Sequence, residues 1–148
     1  MLISTDSVNK LAEKIKHSEE VFCSGLFLSA RWFAVSQLDH DGFQMIVLPD
    51  KDSAEYCAAD LYNLIEGDRV FFLPDSGKNL ERSNYKSTLG VQRTSAIGKI
   101  ADYKEGKLIM VTYPSALEEG IPETSVIKDS MLRLTVGDEI SHEEIVDA

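Results

Sequence analysis

The segment at residues 24–31, directly after a short apolar run, is the strongest candidate for a nucleotide-binding site in this sequence. In an α/β domain, a nucleotide phosphate loop lies between the first strand and the next helix. Such a loop needs two glycines, a lysine and a serine or threonine hydroxyl. The segment reads Ser-Gly-Leu-Phe-Leu-Ser-Ala-Arg, with one glycine, bulky apolar residues and no lysine. Arg31 replaces that lysine poorly, because its guanidinium is planar. We therefore predict a vestigial phosphate loop at Gly25, Ser29, Ala30 and Arg31.

Other catalytic or ligand-binding patterns are absent from the sequence. Three Gly-Lys pairs, at 77–78, 98–99 and 106–107, lack the hydroxyl residue that should follow, and we interpret them as turns. No Asp-Glu pair follows an apolar run, no serine lies in a Gly-x-Ser-x-Gly motif, and the histidines have no partner at metal-ligand spacing. Cys23 lies among apolar residues, which favours an inert buried thiol. We expect that this chain is not an enzyme and that it has no catalytic residue, no metal and no cofactor.

A second candidate for contact with a ligand is a basic stretch in an acidic protein. The formal net charge is -10, which argues against nucleic-acid binding driven by overall charge. Between residues 78 and 93, however, there are four basic residues and one acidic residue. The basic ones are Lys78, Arg82, Lys86 and Arg93. They are candidates for contact with DNA phosphate or an acidic partner, and a solvated loop is the alternative interpretation.

The elements that would position these residues alternate between strands and helices. Apolar runs predict strands at 21–23, 43–48, 69–73 and 107–112. Helical spacing predicts helices at 7–17, 26–38, about 50–65 and 89–103, and a short one at 114–117. Asp50, Asp52 or Ser53 can cap the third of these helices. The alternation predicts an α/β fold with a parallel sheet between two helix layers.

The last residues predict the start of a further domain. Residues 131–136 alternate apolar and polar side chains, as a half-exposed strand does. Ser-His-Glu-Glu at 141–144 is a capping box that begins a helix, with only four residues after it. We expect one domain over 1–128 and a truncated second domain over 129–148.

The sequence predicts a cytoplasmic location. Its first residues lack the basic and apolar regions of a secretion signal, and no run of about 18 apolar residues is present. The two cysteines are far apart, as is common for free thiols in a reducing compartment.

The order of several segments resembles the N-terminal region of bacterial transcription-repair coupling factor, a DNA translocase that recruits excision repair to stalled RNA polymerase. The resemblance covers about residues 11 to 141, and order and spacing carry it more than any single motif. The similar segments are Gly25–Arg31, Val47–Asp50 with the helix after it, Phe72–Asp75, Leu108–Val111 with Pro114–Leu117, and 132–141.

The resemblance implies a UvrB-like first domain, which is a degenerate version of the phosphate-loop, RecA-like helicase fold. It implies a non-catalytic scaffold or regulatory role, in contact with the other domains of the parent protein. The parent protein would make the contacts with UvrA, RNA polymerase and DNA. Its motor, which uses ATP and magnesium, would lie downstream of this chain. The alternative is an independent small α/β nucleotide-binding protein or enzyme with an unfamiliar loop.

Overall fold

The computed structural model describes residues 5–38, 41–77, 83–121, 123–129 and 136–137. Six helices and three strands lie in these ranges. The helices are α1 (Thr5–His17), α2 (Ala30–Ser36), α3 (Lys51–Leu64), α4 (Ser83–Asp102), α5 (Pro114–Glu118) and α6 (Thr124–Asp129). The strands are β1 (Phe43–Val47), β2 (Val70–Phe72) and β3 (Leu108–Thr112).

The three strands form one parallel sheet in the order β1-β3-β2. Phe43 lies opposite Leu108 at one end of the β1–β3 pair, and Val70 lies opposite Ile109 in the β2–β3 pair. The connection from β1 to β2 contains α3, and the connection from β2 to β3 contains α4. Parallel neighbours require such crossovers, so the prediction of an α/β fold with a parallel sheet is confirmed.

The sheet is covered on both faces because successive strand residues point to opposite sides. Val70, Ile109 and Val111 pack in one cluster with the α3 stripe Ala54, Cys57, Ala58 and Leu61, whose spacing is that of a helix face. Phe71 and Met110 pack in a second cluster with Ala96 of α4. The arrangement is therefore α3, sheet, α4, in three layers.

Helix α3 begins at the carboxyl end of β1 with a capped first turn. The Asp50 carboxylate accepts hydrogen bonds from the Ser53 backbone N–H at 2.7 Å and from the Ser53 hydroxyl at 3.0 Å. These bonds satisfy a backbone donor that the helix itself leaves unpaired, and they lower the pKa of Asp50. Asp50 was one of three capping candidates in the sequence, and the structure selects it.

Several predictions of regular structure differ from the structure. The strand predicted at 21–23 is wrong: these residues form no strand, and Phe22 is 92% exposed. None of the described strands pairs with these residues, and without a sheet neighbour nothing offsets the entropy of ordering them as a strand. Helix α2 is shorter than predicted, α4 begins six residues earlier than position 89, and α6 was not predicted.

The proposed second domain lies almost wholly outside the described residues. The strand predicted at 131–136 is described only at Val136, which lies in a turn, and the capping box at 141–144 is not described. The boundary near residue 128 therefore stays a prediction. Within the ranges the structure describes, no helix is both long and apolar enough to cross a membrane.

The Asp50 cap gives a first test. We expect Asp50→Ala to lower the melting temperature, because the Ser53 N–H loses its acceptor, whereas Asp50→Asn should retain most of the stability. The lowered pKa means that the cap stabilises the fold fully above the ordinary carboxyl pKa of 3.8 and progressively less as pH falls below it. Thermal unfolding of both variants at neutral and acid pH measures this, and equal melting temperatures at neutral pH would contradict the assignment.

Candidate functional site

The carboxyl edge of the sheet is the natural place for a site, because α/β proteins bind ligands where parallel strands end. Two strands end in the same sequence, Leu48-Pro49-Asp50 after β1 and Leu73-Pro74-Asp75 after β2. The third, β3, runs into Tyr113 and Pro114, where α5 begins. Polar side chains of these loops and of α4 converge here.

Arg93 is the central residue of this edge. It projects from α4, is 6% exposed, and its guanidinium donates hydrogen bonds to three backbone carbonyls. The acceptors are Pro74 O at 2.7 Å, Ala116 O at 3.1 Å and Glu119 O at 3.0 Å. Because these carbonyls belong to the loop after β2 and to the region of α5, Arg93 joins two loops to one helix.

Glu119 balances the buried positive charge. Its carboxylate lies 3.4 Å from Arg93 Nε, and it also accepts hydrogen bonds from the Ser76 backbone N–H at 2.9 Å and the Ser76 hydroxyl at 3.0 Å. The ion pair is thus extended by neutral donors that satisfy the remaining lone pairs, as a largely buried pair requires. We call Arg93, Glu119, Ser76, Asp75 and Tyr113 the Arg93 cluster.

Tyr113 and Asp75 complete this cluster. The Tyr113 hydroxyl donates to Asp75 Oδ2 at 2.9 Å and accepts from the Asp75 backbone N–H at 3.0 Å. The other carboxylate oxygen, Oδ1, accepts from the Gly77 N–H at 2.9 Å. Burial raises the pKa of Tyr113 to about 12, and the adjacent carboxylate adds to this, so the phenol stays protonated.

The Arg93 cluster is internally satisfied. In the described ranges, no buried side-chain nitrogen or oxygen lacks a hydrogen-bond partner. A site that recognises a ligand usually aims a few polar groups into its pocket, whereas these groups bond to one another and to the backbone. Their observed role is to hold the carboxyl edge together.

Two backbone amides at the end of the predicted vestigial loop bond to carbonyls of the loop itself. The Ala30 N–H donates to Phe27 O at 3.1 Å, and the Arg31 N–H to Leu28 O at 3.3 Å. A phosphate loop needs such N–H groups free to face the anion. Leu28 has φ 51°, a left-handed conformation that is costly for a bulky side chain.

The remaining predicted loop residues also lack a ligand-facing arrangement. Gly25 is exposed with φ +82°, and Ser29 caps the start of α2 without a side-chain hydrogen bond. Helix α2 has only seven residues, so its dipole is short. The exposed Arg31 guanidinium lies 4.7 Å from the Trp32 ring centre, and its Nε donates to Leu28 O at 3.4 Å.

The four basic candidates have different locations. Lys78 and Arg82 lie outside the described residues, and Lys86 lies in α4 with its side chain not described. For these three, contact with DNA or an acidic partner stays a prediction. Arg93 requires a correction, because a buried guanidinium with three carbonyl acceptors does not face solvent, where a phosphate could reach it.

Sequence reasoning missed the Arg93 cluster, although one signal was present. Leu89, Arg93 and Ala96 lie at i, i+4 and i+7, and all three are buried on the same side of α4. The position of Arg93 on the apolar face of the helix predicts its burial better than the positive charge of the residues near it in sequence. Its acceptors are the backbone carbonyls of Pro74, Ala116 and Glu119, and no pattern in the nearby sequence identifies them.

The cysteines also require a correction. Cys23 is exposed and not buried as predicted, because residues 21–23 form no strand. Cys57 is buried in α3, and burial first, then the charge of Asp60, raises the pKa of its thiol to about 12. Cys57 is therefore an unreactive core residue at neutral pH.

Candidate metal ligands do not cluster in the part of the chain that the structure describes. Over the ranges the structure describes, no three histidine, cysteine, aspartate or glutamate side chains converge on one point. His17 lies exposed at the end of α1, with its Nε2 3.7 Å from Glu13, and His40 and His142 lie outside those ranges.

Comparison with known proteins yields no relative: no protein-family model, curated protein or solved structure matches this chain. The function is therefore inferred from the geometry of the carboxyl edge and of the loop before α2.

The structural role of Arg93 can be tested by substitution. We expect Arg93→Ala to lower the free energy of unfolding by about 3 kcal/mol, because Glu119 and three carbonyls lose their partner. Arg93→Lys should lose less, since one ammonium retains the charge but cannot reach all acceptors. Urea denaturation measures both, with the exposed neighbour Gln92→Ala as the matched control. A change below about 0.5 kcal/mol for Arg93→Ala would show that the cluster contributes nothing to stability.

The two thiols should differ in reactivity. In the native protein we expect a disulfide reagent such as Ellman's reagent to modify Cys23 quickly and Cys57 only on unfolding. The absorbance should therefore report one thiol per chain in buffer and two in denaturant. Cys23→Ser should leave no fast thiol, and a fast reaction in that variant would mean that the α3 face opens readily.

Proposed function

We propose that this chain is the non-catalytic N-terminal scaffold domain of a transcription-repair coupling factor, an ATP-dependent translocase that removes stalled RNA polymerase and recruits excision repair. One observation carries the proposal. Where a nucleotide-binding α/β domain directs backbone amides at phosphate, this chain bonds the Ala30 and Arg31 amides to its own loop carbonyls. The layered frame of such a domain is present, and its loop is proposed to have lost the nucleotide chemistry.

The proposal includes a finer description of the fold, a degenerate RecA-like helicase domain. It is supported by the parallel sheet with helices on both faces and by the order of the Leu-Pro-Asp exits after β1 and β2. In register with a working phosphate loop, Gly25 takes the first glycine position, Ala30 the second, Arg31 the lysine position and Trp32 the hydroxyl position. Trp32 is part of the core, so this site cannot hold a magnesium-binding hydroxyl.

The proposed partners are the other domains of the parent protein. UvrA, RNA polymerase and DNA would be reached through the parent, whose ATP and magnesium belong to motor motifs outside this chain. Lys78, Arg82 and Lys86 are the proposed contacts for an acidic surface or DNA phosphate. The proposed location is the cytoplasm, where DNA repair and transcription take place in bacteria.

A nucleotide titration separates this proposal from an independent nucleotide-binding protein. We expect no saturable binding of magnesium-ATP in isothermal calorimetry up to low millimolar concentrations, because the loop has no lysine and its Ala30 and Arg31 amides are bonded to Phe27 O and Leu28 O. A double variant, Ala30→Gly with Arg31→Lys, rebuilds part of the motif and serves as the control. It should also fail to bind, since Trp32 still fills the hydroxyl position. Micromolar binding by the unaltered chain would overturn the vestigial-loop assignment.

A genetic measurement tests the biological role. Deletion of the codons for residues 1–128 from the encoding gene should reduce the preferential repair of transcribed strands after ultraviolet irradiation. Arg31→Lys alone should leave that preference unchanged, because no nucleotide chemistry occurs at this loop. Normal strand preference in the deletion strain would contradict the scaffold role.

A further inference from the structure

The segment that joins α1 to α2 exposes more large apolar surface than any other part of the described chain. Residues 18–29 belong to no helix or strand, and we call them the α1–α2 linker. Phe22, Phe27 and Leu28 are 92%, 78% and 81% exposed, which among the large apolar side chains described is exceeded only at Val136. Single exposed apolar side chains are common, whereas three within seven residues indicate a contact surface.

The linker is held to the domain while its large side chains face outward. Val21 and Leu26 are half-buried, so the linker has two anchors beside its exposed residues. The Phe27 carbonyl accepts the Ala30 N–H at 3.1 Å, and the turn fixes Leu28 at φ 51°. A side chain on a bonded turn loses less conformational entropy on binding than one on a free chain. The exposed apolar residues are therefore prepared for contact.

The linker also carries unpaired negative charge. It contains two acidic residues, Glu19 and Glu20, and no basic one. Both are exposed, and over the described ranges neither side chain takes part in an ion pair or a hydrogen bond. Lys16, at the end of α1, pairs with Glu13 at 3.3 Å. Arg31, the next basic residue along the chain, donates to a carbonyl of the linker. The two carboxylates are thus available to a partner.

This charge selects the kind of partner. A two-fold contact between copies would bring Glu19 and Glu20 of both chains together, on two molecules of net charge -10. Residues 130–148 of the same chain have five acidic residues and one basic residue, so they are repelled as well. Phosphate-rich surfaces, of lipid or nucleic acid, have the same sign of charge. An apolar protein surface with a basic border is complementary to the linker.

We propose that the α1–α2 linker docks on an apolar surface of a partner protein that is bordered by lysine or arginine side chains. Phe22, Phe27 and Leu28 are buried in the contact, where large apolar side chains provide most of the binding energy. Glu19 and Glu20 pair with the basic border, and such charges mainly fix orientation and speed association. The net charge of -10 adds attraction over a longer range.

An amphipathic peptide supplies the chemistry of such a surface. The probe is a capped peptide with two repeats of Leu-Lys-Lys-Leu-Leu-Lys-Leu, whose helix has a leucine face bordered by lysines. The control peptide has glutamate in place of each lysine. Fluorescence anisotropy of the labelled peptide measures its binding to the full chain at about 50 mM salt. We expect saturable binding of the lysine peptide, and at least tenfold weaker binding of the glutamate peptide.

Apolar variants locate the contact on the linker. Phe27→Ala and Leu28→Gly should each weaken binding of the lysine peptide at least fivefold. Leu28→Gly should retain the melting temperature, because glycine adopts a positive φ without strain, so its weaker binding cannot come from unfolding. Val91→Ala is the control, since Val91 of α4 is 70% exposed, and it should change the affinity less than twofold.

Charge variants test the acidic pair. Glu19→Gln combined with Glu20→Gln should weaken binding of the lysine peptide at least threefold and reduce its dependence on salt. Glu66→Gln combined with Glu105→Gln removes the same net charge from two exposed positions outside the linker. This control should weaken binding less than twofold.

Several results would overturn the proposal. Unchanged affinity in both Phe27→Ala and Leu28→Gly would place the contact outside the linker. Equal binding of the lysine and glutamate peptides would contradict the basic border, and so would equal effects of the two charge variants. Absence of saturable binding at millimolar lysine peptide would contradict recognition by this chemistry. Self-association of the chain that Phe27→Ala abolishes would assign the surface to a second copy.

Discussion

The carboxyl edge of this domain depends on one buried guanidinium. Arg93 joins α4 to the loop after β2 and to the end of α5 through three carbonyls, and Glu119 compensates its charge. Isolated carbonyls of this kind would otherwise be buried without partners, at a cost comparable to a lost hydrogen bond each. The polar side chains at this edge, which a ligand site would use, therefore bond to one another and to the backbone and hold the fold together.

The sequence predicted most of the central structure, because its signals are local. The apolar runs of β1, β2 and β3 and the Asp50 cap depend on a few adjacent residues, and all four are present. The run at 21–23 was equally apolar but has no sheet neighbour among the described strands, and no local signal reveals a missing neighbour. Arg93 and Cys23 were misplaced for the same reason, since burial is decided by residues distant in sequence.

The loop before α2 combines bonded amides with exposed apolar side chains. The Ala30 and Arg31 amides bond to carbonyls of the loop, whereas the large side chains of Phe27 and Leu28 face solvent. Exposed apolar side chains of this size are typical of surfaces that meet other proteins.

The bonds of Arg93 also bear on the order of folding. Its three acceptors lie 19, 23 and 26 residues away along the chain. The bond to Pro74 joins α4 to the loop directly before it, whereas the bonds to Ala116 and Glu119 join α4 to residues that follow the central strand β3. One side chain therefore ties together segments on both sides of the central strand in the sequence, and non-local contacts of this kind are the ones that slow folding.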